Sequence, residues 1–282
     1  MSSFIRIITE KPVAYDSSDY IQPWGTARDS SIRISFNRKL SQWIPEKLRV
    51  LDLGCSGGGF VKSIIDQGGF AVGIEGSDYS KKQKRAEWAV IPDNLFTADI
   101  TEPFKLIKIS DDNKEQILKF NVITAWEVIE HISSDKLQAV FKNIDLHLAP
   151  NGIVIMSIST KEEIIKGARL HQTVENKEWW FKKISELGFK HHKNVLSYFY
   201  HDWIRGKGVD DEASFNVVLT RKNEDLPYKN RLKFLKIVAW PLNIVKRFFR
   251  YLVGYIRRML PRPIKQVIKN LYEYHLRSKK NN

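Results

Sequence analysis

The sequence contains a single cysteine, Cys55, which excludes a disulfide framework and any zinc site built from several cysteines. It lacks an uncharged apolar run of about 18 residues, so we expect no conventional transmembrane helix. The N-terminal residues MSSFIRIITEKP do not contain the apolar core of a secretory signal. These absences favour a protein of a reducing compartment, and we expect it to be cytoplasmic.

Acidic residues are almost absent from the C-terminal part of the chain. Residues 226–282 contain 15 lysines and arginines and a single acid, Glu273, whereas the preceding residues contain 31 bases and 31 acids. The net charge of +14 therefore belongs to this C-terminal segment alone. Such a basic segment indicates an anionic partner.

Short apolar segments alternate with helical patterns between residues 48 and 222. The predicted strands are Arg49–Leu53, Phe70–Glu75, Asn94–Ala98, Phe120–Ala125, Ile153–Ile158 and Ser214–Thr220. The predicted helices are Ile32–Ile44, Val61–Gln67, Lys81–Ala89, Lys136–Leu148 and Lys177–Leu187. This alternation predicts an α/β fold, a mostly parallel sheet with helices on both faces that binds its ligand at the carboxyl ends of the strands.

A glycine-rich turn follows the first of these strands, in the sequence Val50-Leu51-Asp52-Leu53-Gly54-Cys55-Ser56-Gly57-Gly58-Gly59. Glycines allow the backbone to bend sharply and to approach a ligand closely. Glu75 closes the second strand, at the distance where an acid binds ribose hydroxyls in this architecture. The spacing differs from G-x-G-x-x-G, which argues against a dinucleotide and its pyrophosphate.

These residues resemble the class I S-adenosylmethionine-dependent methyltransferases. Asp52, Gly54 and Gly58 match the family motif D-x-G-x-G-x-G, with Ser56 at the middle glycine, and FNVITAWEVIEHI and LAPNGIVIMSI resemble its fourth- and fifth-strand segments. The resemblance covers residues 48–220 and implies a Rossmann-like sheet, S-adenosylmethionine as cofactor and methyl transfer. The cofactor-binding residues that it implies are Asp52, Gly54, Ser56, Gly58, Glu75, Asp99 and Trp126.

The candidate catalytic residues follow the fourth and fifth strands. Glu127, Glu130 and His131 have a helical spacing that would place them on one face, and His171 would converge on them from the same rim. In one interpretation a histidine is the general base for an acceptor hydroxyl. In a second, Glu127, Glu130, His131 and His171 ligate a divalent metal, and in a third they are structural. We prefer the first and expect no resident metal.

The acceptor is indicated by residues 171–189, which resemble a segment of glycan-modifying methyltransferases. Trp179 and Trp180 would stack on a sugar or an aromatic acceptor. The tetrapeptide (D/N)PP(Y/F) of base amino-group methylation and a catalytic Pro-Cys pair are both missing. We therefore expect O-methylation of a sugar or of a lipid-linked glycan intermediate. The alternatives are an RNA 2′-O-methyltransferase with a divalent metal and a non-catalytic membrane-binding scaffold that retains the cofactor fold.

The C-terminal segment has the pattern of basic amphipathic helices. One is predicted between Pro241 and Pro261 and another from Pro263, each with an apolar face beside lysines and arginines. We expect it to bind an anionic membrane surface, with nucleic acid as the second choice and a protein partner or the chain's own core as the third. The predicted organisation is thus a helical cap at 1–47, the methyltransferase domain at 48–222 and a tail at 223–282, peripheral on the inner face of a membrane.

Overall fold

The computed structural model describes residues 4–200, 202–206 and 213–238. The chain divides into a first unit, Met1–Lys233, and a second unit, Phe234–Asn282. The amphipathic helices predicted after Pro241 lie outside the described residues and stay a prediction, as do the domain boundaries at 47/48 and 222/223. Among the described residues, no helix combines the length and the apolar character needed to cross a membrane.

The first unit contains strands and helices in alternation, numbered in chain order. The described strands are β1 (Phe4–Thr9), β2 (Arg49–Leu53), β3 (Phe70–Glu75), β4 (Leu95–Thr97), β5 (Phe104–Ile109), β6 (Glu115–Ile117), β7 (Phe120–Trp126), β8 (Leu148–Ser159), β9 (Ile164–Ile165), β10 (Ala168–Arg169), β11 (Phe189–His191) and β12 (Ser214–Arg221). The helices are α1 (Ser18–Ile21), α2 (Ile34–Trp43), α3 (Gly59–Asp66), α4 (Tyr79–Lys82), α5 (Leu137–His147), α6 (Lys177–Glu186) and α7 (Lys193–Leu196).

The main sheet has the order β11-β12-β8-β7-β2-β3-β4. Strands β8, β7, β2, β3 and β4 are parallel, whereas β12 and β11 are added antiparallel beside β8. Helix α3 packs against β2 and β3, α6 against β11 and α7 against β12. The predicted α/β class and Rossmann-like sheet are therefore confirmed.

The parallel strands are apolar almost without interruption because they are covered on both faces. Every residue of β2 after Arg49 and every residue of β3 after Phe70 is buried. The polar groups of this region are therefore found at the strand ends: the glycine turn follows β2, and Glu75 is the last residue of β3. The buried strands thus place these polar residues together at the carboxyl ends of the parallel strands.

The start of the predicted tail packs on the first unit. The Trp43 indole donates a hydrogen bond to the Pro227 carbonyl oxygen at 3.1 Å, and the Arg231 guanidinium donates one to the Gln42 carbonyl at 2.6 Å. Leu232 is buried as well. Residues 226–232 are therefore part of the folded unit that carries α2.

A second sheet was not predicted from the sequence. Strand β1 pairs antiparallel with β5, and β5 pairs antiparallel with β6, although about a hundred residues separate the first pair. Residues 4–9, expected within a helical cap, are thus a strand. Phe4 and Ile8 are exposed and Ile5 and Ile7 are half-buried, and the partner strand is distant in sequence, so no local pattern indicates the pairing.

The helix predicted over Lys81–Ala89 is interrupted. Helix α4 ends at Lys82, and a separate single turn of 3-10 helix covers Ala86–Ala89. Between them Lys84 and Ala86 adopt positive φ angles of 45° and 48°. The interruption allows the Trp88 indole to donate a hydrogen bond to the Ser56 carbonyl oxygen at 2.7 Å, so this segment braces the glycine turn.

Candidate cofactor and acceptor site

A cavity of about 860 Å³ opens at the carboxyl ends of the parallel strands. Its wall is formed by the turn after β2, the ends of β3 and β7, the segments after β4 and β8, and the N-terminal residues 14–29. Parallel α/β sheets bind their ligands at this edge. The predicted site residues Gly54, Ser56, Glu75, Asp99, Trp126, Glu127, His131 and His171 all lie on the wall.

The glycine turn adopts the geometry that its sequence allows. Gly54 has a φ angle of +70°, and a Cβ atom at this position would collide with the side chain of Val128. Ser56 also has a positive φ, 47°, and its hydroxyl donates to the Asp29 carbonyl oxygen at 3.0 Å. Gly58 precedes helix α3 as its N-cap and is not among the described lining residues. The turn is thus closed against the N-terminal segment.

Glu75 is buried at the end of β3 with its carboxylate fixed in the cavity wall. Its Oε2 atom accepts a hydrogen bond from the Ser56 N–H at 2.6 Å, and its Oε1 atom accepts from the Thr26 hydroxyl and the Ser77 N–H, both at 3.3 Å. Burial raises the pKa of Glu75 above its usual range, and these donors counteract the rise. The carboxylate is rigid and suited to receive ribose hydroxyls.

The other two predicted acids differ in position. Asp99 lies on the cavity wall, where its Oδ1 atom accepts from the Thr101 N–H at 2.9 Å and the Thr101 hydroxyl at 2.7 Å. Asp52, expected to contact the cofactor, is not among the described lining residues and instead accepts from the Thr124 hydroxyl at 2.6 Å. Burial raises the pKa of Asp52 to about 8. Asp52 therefore supports the strand end from within the core.

Trp126 ends β7 and presents a buried aromatic surface to the cavity. Its ring packs edge-to-face on Phe36 and Phe60, with centroid distances of 5.2 and 5.8 Å. The indole Nε1 atom is buried without a hydrogen-bond partner among the described residues. A buried donor without a partner is costly.

Glu127 follows directly and is held by an ion pair. The Arg205 guanidinium contacts the Glu127 Oε2 atom at 3.1 Å and the Asp29 Oδ2 atom at 2.7 Å. Burial works against the charge of Arg205, but the two carboxylates raise its pKa further above its usual range. Arg205 thus connects the N-terminal segment with the end of β7.

The predicted helical face of Glu127, Glu130 and His131 does not form. Glu127 has a φ angle of 55° and lies outside the short 3-10 turn Ile129–His131. Glu130 is fully buried, and its Oε1 atom accepts from the Ser159 N–H at 2.7 Å. Burial raises the pKa of Glu130 to about 7. The positive φ of Glu127 interrupts the helical spacing, so the three side chains contact different partners: Arg205, the Ser159 N–H and Asp19.

His131 and His171 do converge, with ring centroids 4.6 Å apart in an edge-to-face arrangement. The His131 Nδ1 atom lies 2.8 Å from an Asp19 carboxylate oxygen, and the His171 Nδ1 atom lies 2.5 Å from the Lys161 carbonyl oxygen. Burial opposes charge on His131, yet the hydrogen bond and charge of Asp19 raise its pKa to about 9. Burial and the neighbouring His131 lower the pKa of His171.

Three residues of this region were not predicted from the sequence. Asp19 orients His131, Glu163 lies 3.2 Å from the His171 Nε2 atom, and Arg205 bridges two carboxylates. Asp19 and Arg205 stand in segments without a recognisable motif. Glu163 belongs to an acidic pair, Glu162-Glu163, that follows the fifth predicted strand, and this pair is the one sequence signal that could have indicated it.

The two tryptophans predicted to stack on an acceptor do not reach the cavity. Trp180 is fully buried, and Trp179 packs edge-to-face on it with a centroid distance of 5.1 Å. Neither is among the described lining residues. The helical spacing of α6 turns Trp180 into the core, which is the more common use of an aromatic residue.

The fold and the site together define a Rossmann-like α/β protein with an acid-lined cavity at the carboxyl ends of its parallel strands. A family model described as a methyltransferase domain matches residues 28–199. The chain belongs to this family and is a class I S-adenosylmethionine-dependent methyltransferase. No functionally curated protein matches the chain.

Solved structures to which the chain is similar include several methyltransferases. A TehB-like methyltransferase of Corynebacterium glutamicum is 16% identical, with 73% of this chain and 98% of that chain covered and a TM-score of 0.46. An S-adenosylmethionine-dependent methyltransferase of Clostridium acetobutylicum is 14% identical, with coverages of 73% and 96% and a TM-score of 0.47. The glycopeptide N-methyltransferase MtfA, complexed with S-adenosylmethionine, is 14% identical, with coverages of 68% and 95% and a TM-score of 0.44.

Proposed function

We propose that the protein transfers a methyl group from S-adenosylmethionine to a hydroxyl group of a sugar or of a lipid-linked glycan intermediate, at the cytoplasmic face of a membrane. The observation that carries the oxygen acceptor is the pairing of His131 and His171 in the cavity that also contains Glu75 and Asp99. A hydroxyl group needs an activating group beside it before it can attack. His171, whose pKa is lowered, is the neutral imidazole suited to that task, and His131 lies beside it.

The cofactor part of the cavity suits S-adenosylmethionine, which supplies an electrophilic methyl group on a sulfonium. Gly54 leaves room where a side chain would collide with Val128, and Glu75 offers a fixed carboxylate for hydroxyl groups. Asp99 adds a second acid, and the Trp126 side chain adds an aromatic surface. These groups hold and orient a cationic nucleoside without a phosphate-binding helix end.

The acceptor part of the cavity is rich in groups that form hydrogen bonds. Ser133, Lys136, Lys161 and Gln172 line it beside the histidine pair. Trp24 lies on the same wall and remains 39% exposed, with the Arg28 guanidinium over its ring. Hydroxyl-rich acceptors are recognised by such a combination of polar groups and an aromatic surface.

The membrane location is supported by charge and by sequence pattern. Eleven of the 15 basic residues after position 225 lie within 239–282, interleaved with apolar residues at helical spacing. Each basic residue near an anionic leaflet contributes roughly 1 kcal/mol, and apolar burial adds to this. A tail of this composition brings the catalytic unit to a membrane-bound acceptor.

Methyl transfer is tested with radiolabelled S-adenosylmethionine and separate pools of glycolipid, RNA and small molecules. We expect label in the glycolipid pool, in a product stable to conditions that cleave methyl esters. A Glu75→Ala variant serves as the cofactor-binding control. Label confined to RNA would favour the 2′-O-methyltransferase alternative, and S-adenosylhomocysteine binding without label in any pool would favour the scaffold.

Membrane binding is tested separately by vesicle flotation of the full chain and of residues 1–238. This truncation retains residues 226–232, which pack on α2. We expect the full chain to float with vesicles containing phosphatidylglycerol and the truncated chain to stay behind. Equal flotation of the two, or equal binding to uncharged phosphatidylcholine, would contradict the role of the tail.

A further inference from the structure

Three side chains with metal-binding atoms meet in the acceptor part of the cavity. One ring nitrogen each of His131 and His171 and a carboxylate oxygen of Glu163 all lie within 4.8 Å of one another. The three residues line the cavity wall. His131 follows strand β7, Glu163 lies between β8 and β9, and His171 follows β10, so three separate segments bring the donor atoms together.

The hydrogen bonds fix which nitrogen of each ring is available. A carboxylate and a carbonyl oxygen only accept, so the proton of each contact sits on the histidine Nδ1 atom. His131 donates to Asp19 in this way, and His171 donates to the Lys161 carbonyl. The Nε2 atom of each ring is therefore the one that can bind a metal, and His131, whose pKa is raised, releases its Nε2 proton when the metal binds. Such an arrangement of partners orients metal-ligating histidines.

The distances suit a small cation. The His171 Nε2 atom lies 3.2 Å from a Glu163 carboxylate oxygen. Two donors bound tetrahedrally to zinc at about 2.0–2.2 Å lie roughly 3.4 Å from each other. The Glu163 side chain is 40% exposed, so it can adjust to complete the set. In contrast, Glu127 pairs with Arg205, and Glu130 is fully buried and is not among the described residues that line the cavity.

The donor set determines the class of ion. Two imidazole nitrogens and one carboxylate favour divalent transition metals such as zinc or cobalt, whereas magnesium and calcium prefer oxygen ligands. Three protein ligands also leave a coordination position open, as in catalytic zinc sites. That position faces the cavity, because all three ligands lie on its wall.

We infer that His131, Glu163 and His171 bind one divalent transition-metal ion, whose open position receives an oxygen atom of the acceptor. The inference that a metal binds here depends only on the geometry of these three residues. The inference that the metal contacts the acceptor rests on the proposed function. The inference differs from the ligand set predicted by sequence, since Glu163 replaces both Glu127 and Glu130. A cation at this place would polarise the hydroxyl group that is to be methylated.

The test is cobalt binding by the full chain, with any affinity tag removed and resident metal stripped by a chelator. We expect calorimetry to show one Co²⁺ per chain, and visible absorption to show the bands of a four- or five-coordinate cobalt–histidine complex. Glu163→Gln and His171→Ala should each weaken Co²⁺ by more than about tenfold. Glu162→Gln is the matched control, because this neighbouring acid pairs with Arg169 at 3.2 Å and should leave Co²⁺ affinity unchanged.

S-adenosylhomocysteine binding and thermal unfolding of each variant, measured in parallel, show whether it is folded. A folded chain that binds S-adenosylhomocysteine but not Co²⁺ would overturn the metal site and leave the methyltransferase assignment intact. Unchanged Co²⁺ affinity in folded Glu163→Gln would likewise overturn the ligand set. Specific Co²⁺ binding without methylation of any hydroxyl acceptor would instead refute the proposed function and retain the site.

Discussion

The Nδ1 atom of His131 lies 2.8 Å from an Asp19 carboxylate oxygen, although 112 positions separate the two residues in the sequence. This contact joins the N-terminal segment, which covers the glycine turn, to the turn that follows β7. It fixes the orientation of the His131 ring, and the Asp19 carboxylate raises the pKa of His131. The cavity is consequently completed by residues outside the parallel sheet.

Asp19 is expected to act as a positioning residue. Asp19→Asn weakens the hydrogen bond that orients His131, so we expect kcat for hydroxyl methylation to fall about 10- to 100-fold. S-adenosylhomocysteine affinity should stay within about twofold, since Glu75 and the glycine turn are unaffected. Steady-state kinetics and calorimetry give the two quantities. Asp16→Asn is the matched control, and an equal loss in both variants would exclude a specific role for Asp19.

Glu75 is expected to determine cofactor affinity. Glu75→Gln replaces the charged acceptor of the Ser56, Ser77 and Thr26 hydrogen bonds. Loss of one charge-assisted hydrogen bond is worth about 1.5–3 kcal/mol, so S-adenosylhomocysteine should bind roughly 10- to 100-fold more weakly. Calorimetry measures this directly. Glu102→Gln removes only an ion pair with Lys11 and should bind normally; wild-type affinity in Glu75→Gln would contradict the assignment.

Gly54 and Gly68 allow the energetic cost of a steric collision to be measured separately from that of a left-handed backbone conformation. Gly54 and Gly68 have φ angles of +70° and +83°, but only at Gly54 would a Cβ meet another side chain, that of Val128. Gly68→Ala should cost about 1–2 kcal/mol of unfolding free energy from its left-handed conformation alone. Gly54→Ala should cost about 1–3 kcal/mol more, because it adds overpacking. Urea unfolding measures both, and equal losses would refute the collision.

Asp52 should make stability fall as pH rises. Its native pKa of about 8 exceeds the ordinary carboxyl value, so between about pH 4 and 8 the folded chain retains a proton that the unfolded chain releases. Unfolding free energy therefore decreases with increasing pH, by at most about 1.4 kcal/mol per unit from this group. Asp52→Asn keeps an acceptor for Thr124 and should flatten the decline.

The measurement is urea unfolding at several pH values between 5 and 8, within roughly the interval set by the two carboxyl pKa values. The advantage of Asp52→Asn over the wild type should grow with pH. Asp66→Asn is the control, since that side chain is 57% exposed in its ion pair with Lys62. Parallel curves for the wild type and Asp52→Asn would show that Asp52 is ionised in the folded chain.

Much of the catalytic sheet was predictable because its signals are local. The apolar segments beginning at Arg49 and Phe70 formed strands, and the glycines between them formed the expected turn. Glu75 and Asp99 reached the cavity because each follows a strand of the sheet. Strand ends, turns and continuous apolar runs depend on neighbours within a few residues, and the sequence displays those neighbours directly.

Contacts between distant segments were decided only in the tertiary structure. The pairing of β1 with β5, the interruption after α4 and the Asp19–His131 contact leave no periodic pattern in the sequence. The sequence pattern also placed Glu127 and Glu130 beside the two histidines, whereas in the structure the acid beside them is Glu163. The sequence by itself determined the sheet, its glycine turn and the positions of Glu75 and Asp99 at the cavity, whereas the histidine pair and its partners come together from separate segments. Only the packing of the folded chain fixes the position of one such segment against another.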